Sequence, residues 1–247
     1  MGFFKRLKKE SGGVTTPPLR HIAFIMDGNG RWAKKRGLPR EFGHSEGAKA
    51  FIRVVEYCID LDIKLVTVYA FSTENWKRPQ SEVDGIMKLF VEYLEDGLTN
   101  KRKKNMRVRF LGDKSRFSPE IQALMDEVVE KTAHFPYDLN IAINYGGRDD
   151  IVQAVNTLIK EGKTEVTEED ISNALYTHHQ PDPDLIVRTG GEWRLSNFLT
   201  WQSTYSELYF TKKLWPDMKE KDVDEAVEFF KSRKRRFGDV KEERKAK

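Results

Sequence analysis

The chain has 247 residues, of which 38% are hydrophobic and 33% charged, and its formal net charge is +4 at pH 7. This balance suits one α/β domain with a solvated surface, and so small a charge does not call for nucleic acid as a partner. The single cysteine, Cys58, excludes an internal disulfide. Since no stretch approaches the roughly 20 apolar residues of a membrane span, we expect a cytoplasmic protein.

The two ends of the chain are predicted to lie outside the folded domain. Residues 1–18 read as a disordered basic segment that starts with MGFFKRLKKE. Its phenylalanines and cations suit transient contact with an anionic membrane surface, which would give the protein a peripheral position at the inner face of the membrane. Residues 239–247 form a charged tail. One folded domain is therefore expected over residues 19–238.

Apolar runs alternate along this domain with segments of helical period. Helical spacing is found at 83–90, 121–128 and 223–230, and Ser118-Pro119 and Thr167-x-x-Asp170 are typical helix starts. Strands that alternate with helices predict an α/β fold in which a central, mostly parallel sheet of about six strands is covered by helices on both faces. The expected strands are His21–Met26, Lys64–Phe71, Met106–Leu111, Leu139–Asn144, Asp184–Arg188 and Glu207–Phe210.

Four segments that follow these runs carry polar residues, glycines and arginines instead of simple turn residues. Ligands of parallel sheets bind beyond the carboxyl ends of the strands, which is where these segments are expected to lie. We therefore predict the functional site at this edge of the sheet. The segments are DGNGRW (27–32), STENWKRP (72–79), NYGGRDD (144–150) and RTGGEWRLSN (188–197).

The first segment combines a bare backbone loop with cations and one acid. Glycines on either side of Asn29 let the backbone approach a ligand, and the arginines indicate that this ligand is anionic. Asp27 would repel a phosphate unless a metal ion stood between them. A dinucleotide loop is disfavoured because no acid ends a second strand about 20 residues later, and the frame of a calcium loop is absent. An ordinary turn would not explain why Arg31 and Arg40 gather here.

The other segments each allow two interpretations. Arg188 and Arg194 flank a Gly-Gly pair and could clamp a diphosphate, whereas the alternative is a solvated loop. Ser72 and Asn75 could orient a proton acceptor or a ligand oxygen, or Ser72 could simply cap a helix. The Asp149-Asp150 pair resembles half of an aspartate-rich metal motif, but acidic residues in the first turn of a helix are the better account.

Long blocks of the sequence resemble the cis-prenyltransferase family from about His21 to Gly238, in the right order. The resemblance implies a catalytic domain of that fold, which adds isopentenyl diphosphate units to an allylic diphosphate such as farnesyl diphosphate. It also implies Mg²⁺, a homodimer and a long polyprenyl diphosphate product such as undecaprenyl diphosphate, the lipid-carrier precursor of peptidoglycan. The blocks are HIAFIMDGNGRWA (21–33), VYAFSTENWKRP (68–79), LNIAINYGGR (139–148), DLIVRTGGEWRLSNFLTWQSTYSELYFT (184–211) and LWPD (214–217).

The resemblance also implies residue roles. Asp27 is matched with an essential carboxylate, Asp27 and Glu207 with magnesium, and Asn75 with proton removal. The allylic diphosphate is assigned to Gly28, Asn29, Gly30, Arg31, Arg40 and His44, and Trp32 beside them is expected to bind substrate. The loop beside it contributes Ser72, Thr73, Glu74, Trp76 and Arg78. The isopentenyl diphosphate is assigned to Arg188, Arg194 and Ser196, with Arg236 and Gly238 reaching across the dimer, and Leu195 is expected to bind substrate.

Two alternatives stay open at this point. The first is a non-catalytic subunit of the same fold that binds lipid diphosphates, which loss of Asp27 or the arginines would favour; all are present. The second is a synthase of different product length. The depth of an apolar cavity would determine that length.

Overall fold

The structure, a computed structural model, describes residues 18–98 and 106–233. The predicted disordered start (all but its last residue) and the charged tail lie outside these residues, as do Arg236 and Gly238. Across the described ranges, no helix combines the length and the apolar composition that crossing a membrane requires.

Strands and helices alternate along the described chain. The strands are β1 (His21–Ile25), β2 (Leu65–Ser72), β3 (Arg107–Leu111), β4 (Asp138–Tyr145), β5 (Leu185–Arg188) and β6 (Glu207–Phe210). The α-helices are α1 (Asn29–Lys35), α2 (Arg40–Asp60), α3 (Gln80–Leu98), α4 (Pro119–Thr132), α5 (Gly147–Lys160), α6 (Glu168–Ala174) and α7 (Glu220–Ser232). The α/β prediction is thus confirmed, with each strand within two residues of its expected bounds.

The strands form one sheet in the order β3-β4-β2-β1-β5-β6, and every pair in it is parallel. The expectation of a mostly parallel sheet is therefore confirmed, and the observed sheet is parallel throughout. Parallel strands in the middle of a sheet are covered on both faces, which explains why the central strand HIAFI is buried at every position.

Alternate residues of the sheet pack into different cores. Ile22 and Phe24 face a core that includes residues of α2 and α7, while Ala23 and Ile25 face a second core with Phe198 and Leu199. Because side chains alternate along a strand, this division fixes the register of the sheet. The register holds the carboxyl ends of the strands at one edge.

Buried polar contacts attach α5 to the second core. The carboxylate of Asp150 accepts hydrogen bonds from Tyr145 Oη at 3.0 Å, from the backbone of Tyr176 at 3.0 Å and from Gln202 Nε2 at 3.3 Å. Asp150 does lie in the first turn of α5, as predicted. Burial raises its pKa against these hydrogen bonds, so its main role in the fold is to join α5 to the chain around 176 and 202.

The two predicted helix starts are also confirmed. Ser118 Oγ accepts from the backbone of Ile121, with Pro119 at the first helical position of α4. Thr167 and Asp170 form a reciprocal capping box at the start of α6.

Candidate active site

The four polar segments meet at one edge of the sheet, as the sequence predicts. Thr73 Oγ1 donates to Asp149 at 3.2 Å, and Asn197 Nδ2 donates to Glu74 at 3.0 Å. The backbone of Gly147 donates to the Asn197 carbonyl at 2.7 Å. These contacts join the second, third and fourth segments, and Asp27 joins the first to the fourth.

Asp27 follows β1 and lies between two arginines. Its Oδ1 accepts from Arg31 Nη2 at 2.8 Å, and its Oδ2 accepts from Arg188 Nη2 at 3.0 Å. Partial burial raises the pKa of Asp27, but the hydrogen bonds and charges of the two arginines outweigh it and hold the pKa below its ordinary value. The Asp27 side chain is therefore a carboxylate at neutral pH.

Arg188 is the most buried cation at this edge, since its side chain is only 5% exposed. Besides Asp27, it donates to the carbonyl of Arg194 and to Ser196 Oγ at 2.8 Å. Its Nε is buried without a hydrogen-bond partner among the described residues. The structure thus brings Arg188 and Ser196 together, as expected of a diphosphate clamp, and leaves one donor unused.

The side chain of Arg194 is largely solvent-exposed and pairs with an acid. Its Nη1 donates to Glu192 Oε2 at 2.6 Å, and 61% of its side chain is exposed. Glu192 also lies 3.8 Å from Arg31 Nη1. Glu192, to which the sequence assigns no role, therefore stands between two of the predicted phosphate-binding arginines.

The Gly-Gly turn allows these side chains to approach each other. Gly190 has φ +88°, and a Cβ there would lie 2.5 Å from Arg31 Nη2 and 3.0 Å from Asp27 Cγ. Its carbonyl accepts from Arg31. Only glycine fits both the left-handed backbone and the space, which explains its place in the segment.

A second group of cations converges on Glu82 in the first turn of α3. Glu82 accepts from Arg40 Nη1 at 2.9 Å and from Arg78 Nη1 at 3.0 Å, and His44 Nε2 lies 3.4 Å away. Burial lowers the pKa of His44 although the charge of Glu82 opposes this shift. The structure thus brings together three predicted ligand-binding residues around an acid that the sequence analysis missed. The spacing of Arg78 and Glu82, four residues apart before a helical pattern, was the available signal.

The segment after β2 is a short 3₁₀ helix, Thr73–Lys77, with a capping box. Ser72 is the N-cap residue of this helix, and its backbone N–H donates to Asn75 Oδ1 at 3.1 Å. Trp76 Nε1 donates to Asn144 Oδ1 at 2.7 Å, and its ring contacts Phe71 edge to face. These contacts hold Asn75 between the strand end and the neighbouring segments.

Two predicted ligand residues have local packing partners. Trp32 Nε1 donates to Asp217 Oδ1 at 2.7 Å, and the Arg36 guanidinium stacks on the Trp32 ring at 3.9 Å. Leu195 packs against the second core. Both side chains therefore stabilise the frame of the site.

Glu207 is not brought to Asp27 within one chain. It begins β6, where it pairs with Leu185, and Leu185 in turn pairs with Ile22. Asp27 follows the end of β1 at Ile25, three residues beyond Ile22, so the strands alone separate the two acids by about 10 Å at roughly 3.3 Å per residue. Glu207 accepts from Arg233 Nε at 3.2 Å. The expected pair of magnesium-binding acids is thus absent within one chain.

An apolar cavity of about 190 Å³ lies under this edge, between α2 and α3. Its polar end includes Asn29 and His44, and Asn29 Oδ1 is buried without a partner among the described residues. The walls are almost entirely apolar and include Phe51, Val68, Ile86, Leu89, Phe90, Leu94 and Ile141. A ligand with an anionic head and a hydrocarbon tail would fit the two environments together.

Comparison with known proteins defines the class to which this fold and site belong. A family model described as "Putative undecaprenyl diphosphate synthase" matches residues 25–238, and the chain belongs to this family. The isoprenyl transferase of Fusobacterium nucleatum is 53% identical over 90% of this chain and 96% of its own. That of Thermotoga maritima is 50% identical over 89% of this chain and 96% of its own.

Solved structures agree with this assignment. Lavandulyl diphosphate synthase from Lavandula x intermedia, in complex with dimethylallyl diphosphate, superimposes with a TM-score of 0.83 at 32% identity, covering 89% of this chain and 98% of its own. A probable undecaprenyl diphosphate synthase from Campylobacter jejuni gives 0.76 at 36% identity, covering 90% and 99%. The chain is an enzyme that transfers isoprenyl groups.

Proposed function

We propose that this enzyme extends farnesyl diphosphate with successive isopentenyl diphosphates, forming a cis double bond each time and releasing a long polyprenyl diphosphate such as undecaprenyl diphosphate. The observation that carries the proposal is the apolar cavity that begins at Asn29 and His44, beside the cations of the sheet edge. The diphosphate stays among the cations while the hydrocarbon chain grows into the cavity. Such a product serves as the lipid-carrier precursor for cell-wall synthesis.

The two diphosphates are assigned to the two groups of cations. The allylic diphosphate binds near Gly28, Gly30, Arg40, His44 and Arg78, at the open end of the cavity. The isopentenyl diphosphate binds near Arg188, Arg194 and Ser196. Arg40 and Arg78 gather around Glu82, whereas Asp27 lies between Arg31 of the allylic set and Arg188 of the isopentenyl set, within reach of both diphosphates. The reacting carbon ends would then meet between the two groups.

Each elongation breaks the allylic C–O bond, and the diphosphate leaves with the bonding electrons. A new C–C bond forms to the isopentenyl unit, which then loses a proton to give the double bond. Arginines and backbone amides stabilise the charge that grows on the leaving diphosphate. Asn75, fixed by the Ser72 backbone, orients the proton acceptor. The apolar cavity keeps water from the electron-deficient carbon.

Asp27 is the candidate protein ligand for Mg²⁺. Among the described residues no cluster of three or more acids, histidines or cysteines could hold a metal alone. One carboxylate does fit Mg²⁺ that arrives with a diphosphate, because this ion is commonly bound through one or two carboxylates plus substrate phosphates. The bound ion would neutralise charge on the leaving group. Each Asp27 oxygen accepts a hydrogen bond from one guanidinium group and keeps a second lone pair with which it could bind the ion.

A homodimer would give Glu207 a place in catalysis. Exposed apolar side chains lie around the edge strand β6, where Trp193 is 77%, Tyr205 69% and Leu208 37% exposed. Among the described residues, no strand pairs with the outer edge of β6, and a strand edge with such residues is a typical contact surface. We propose that two chains meet there, so that Glu207 and the segment with Arg236 and Gly238 serve the partner's site. Mixed Asp27→Ala and Arg236→Ala subunits should then regain part of the activity, whereas proven exchange without recovery would contradict shared sites.

We also propose that the cytoplasmic enzyme touches the inner face of the membrane to deliver its product. Leu38, between α1 and α2, and Phe42, in the first turn of α2, are 38% and 54% exposed, and the exposed Lys34 and Lys35 precede them in the sequence. Apolar tips flanked by cations suit an anionic bilayer surface. Sedimentation with anionic vesicles should fall for the double variant Leu38→Ser, Phe42→Ser, and equal sedimentation would contradict this contact surface.

Incubation with labelled isopentenyl diphosphate, farnesyl diphosphate and Mg²⁺, followed by chromatographic sizing, tests the function. A ladder that ends in a long polyprenyl product is expected. A product of one or a few additions would identify a short-chain synthase. Specific binding without any product would favour a non-catalytic lipid-diphosphate subunit.

A further inference from the structure

Glu82 reverses the arrangement expected of a surface salt bridge. Its carboxylate is 6% exposed, whereas the side chains of Arg40 and Arg78 are 60% and 34% exposed. The carboxylate is thus the fixed, desolvated member, and the cations extend from it toward solvent. A buried acid of this kind needs partners, and it has them from α2 and from the segment before α3.

The contact geometry leaves both guanidinium groups able to bind a ligand. Each arginine uses a single terminal nitrogen, Nη1, on Glu82. A guanidinium carries five N–H donors in a planar fork, so the other donors stay available for phosphate oxygens. Two cations drawn to one point would repel each other without the carboxylate. Glu82 can therefore hold the pair together while a diphosphate is bound.

Arg40 is held from a second side. A Cβ at Gly30 would lie 2.5 Å from Arg40 Nε, so the guanidinium lies directly over the backbone of α1. His44, the third group on Glu82, belongs to the lining of the apolar cavity. The carboxylate thus links the α1 backbone, the α2 cations and Arg78 at the place where the cavity opens.

We propose that Glu82 is a positioning residue for the allylic diphosphate, acting through Arg40 and Arg78. It sets the separation and orientation of the two guanidinium groups before the substrate arrives and preserves them afterwards. Side chains that are already held in the binding geometry lose less conformational freedom when the ligand binds, which favours affinity. This inference rests on the proposed assignment of the allylic diphosphate to these cations.

A double-mutant cycle tests the inference by equilibrium binding of farnesyl thiodiphosphate in the presence of Mg²⁺. Glu82→Gln keeps the shape and removes the charge, and its Kd should rise roughly tenfold, since charge-assisted hydrogen bonds become neutral ones. In the Arg40→Ala, Arg78→Ala background, the same change should raise Kd less than about twofold, because additivity fails for residues that act through each other. Isopentenyl diphosphate should keep its KM.

Glu46→Gln is the matched control, because Glu46 pairs with Lys49 on the outer surface of α2. It should leave Kd unchanged in both backgrounds. Should Glu82→Gln lose its thermal transition, Glu82→Asp replaces it; the shorter acid should raise Kd severalfold in the wild type and not in the double-alanine background.

The other outcomes separate two failures. If the arginine changes weaken binding but Glu82→Gln does not, the positioning role is wrong and the proposed function stands. If Glu82→Gln weakens binding equally in both backgrounds, Glu82 does not act through the arginines and the inference is overturned. If the arginine changes leave Kd untouched, the allylic site itself has been misplaced.

Discussion

Two carboxylates at the sheet edge gather arginines, and they differ in which partner is buried. At Asp27 the acid is 29% exposed while Arg188 is 5% exposed. At Glu82 the acid is 6% exposed while Arg40 is 60% exposed. In the first group the buried charge is the cation of Arg188, which Asp27 compensates. The second has a buried acid with more than one cation.

This difference separates fold stability from ligand binding. Removing one partner of a buried charge leaves that charge uncompensated, which is far more costly than removing an exposed partner. Asp27 should therefore contribute both to the stability of the loop and to turnover. At Glu82, loss of one arginine leaves the acid paired with the other, so the arginines there are free to serve a ligand.

Asp27→Ala should have the largest effect of any single change at the site. We expect turnover to fall by ~10²–10³, as on removal of one charge-stabilising group. Because buried Arg188 loses its carboxylate, unfolding free energy should also fall by a few kcal/mol, on the order of other broken buried pairs. Single-turnover kinetics and thermal melting measure the two losses.

Asp27→Asn separates these two effects. The amide oxygen still accepts a hydrogen bond from one arginine, so most of the stability should return while turnover stays low. If Asp27→Asn recovered stability and turnover equally, Asp27 would only support the loop and would have no role at the metal or the leaving group.

Arg188→Ala and Arg194→Ala should have the next largest effects, and they test whether the arginines near Asp27 bind isopentenyl diphosphate. Each should raise KM for isopentenyl diphosphate by roughly 10- to 100-fold, with a smaller effect on the allylic substrate, since a hydrogen bond to a charged group is worth about 1.5–3 kcal/mol. Arg188→Ala leaves Asp27 paired with Arg31, so the protein should stay folded. An equal rise for both substrates would argue for one shared diphosphate site.

Much of the architecture was predictable because parallel strands are buried on both faces and produce clear apolar runs. Every strand was located, and the rule that ligands bind at carboxyl ends placed Asp27, Ser72 and Arg188 at one edge. The helix starts at Ser118-Pro119 and at the Thr167–Asp170 capping box were equally local signals, since each lies within four consecutive residues.

What the sequence could not provide was the pairing of charges between segments. Glu82 resembles any acid in the first turn of a helix, and its burial under Arg40 and His44 depends on how α2 and α3 pack. The resemblance predicts that Trp32 binds substrate, and nothing in the sequence indicated that its indole donates to Asp217, 185 residues away along the chain. The pairing of Asp27 with Glu207 was predicted by resemblance alone, and the strand register separates the two acids.

The pH dependence of stability tests the charge state at Asp27. Its pKa is lowered from 3.8 in the folded chain, so its stabilising contribution is complete above the unfolded pKa and is lost as pH falls through the folded value. The melting-temperature difference between wild type and Asp27→Ala should stay constant from about pH 7 to pH 5 and shrink only below about pH 4. If the melting-temperature difference already shrank near pH 6, a group other than Asp27 would determine the pH dependence of stability.

Trp32→Phe should have the smallest effect and would test whether the first segment has a structural as well as a ligand-binding part. The indole donates to Asp217 and stacks under Arg36, and neither contact involves the side chain of Asp27 or Glu82. Phenylalanine keeps the aromatic packing and loses one hydrogen bond, so unfolding free energy should fall by about 1 kcal/mol. KM for both diphosphates should change less than about twofold, within the scatter of changes that touch no ligand.

Asp217→Asn serves as the control, because it weakens the same contact from the other side and should reproduce the small loss. A tenfold rise in KM for the allylic substrate with Trp32→Phe, but not with Asp217→Asn, would place the indole in the substrate site after all.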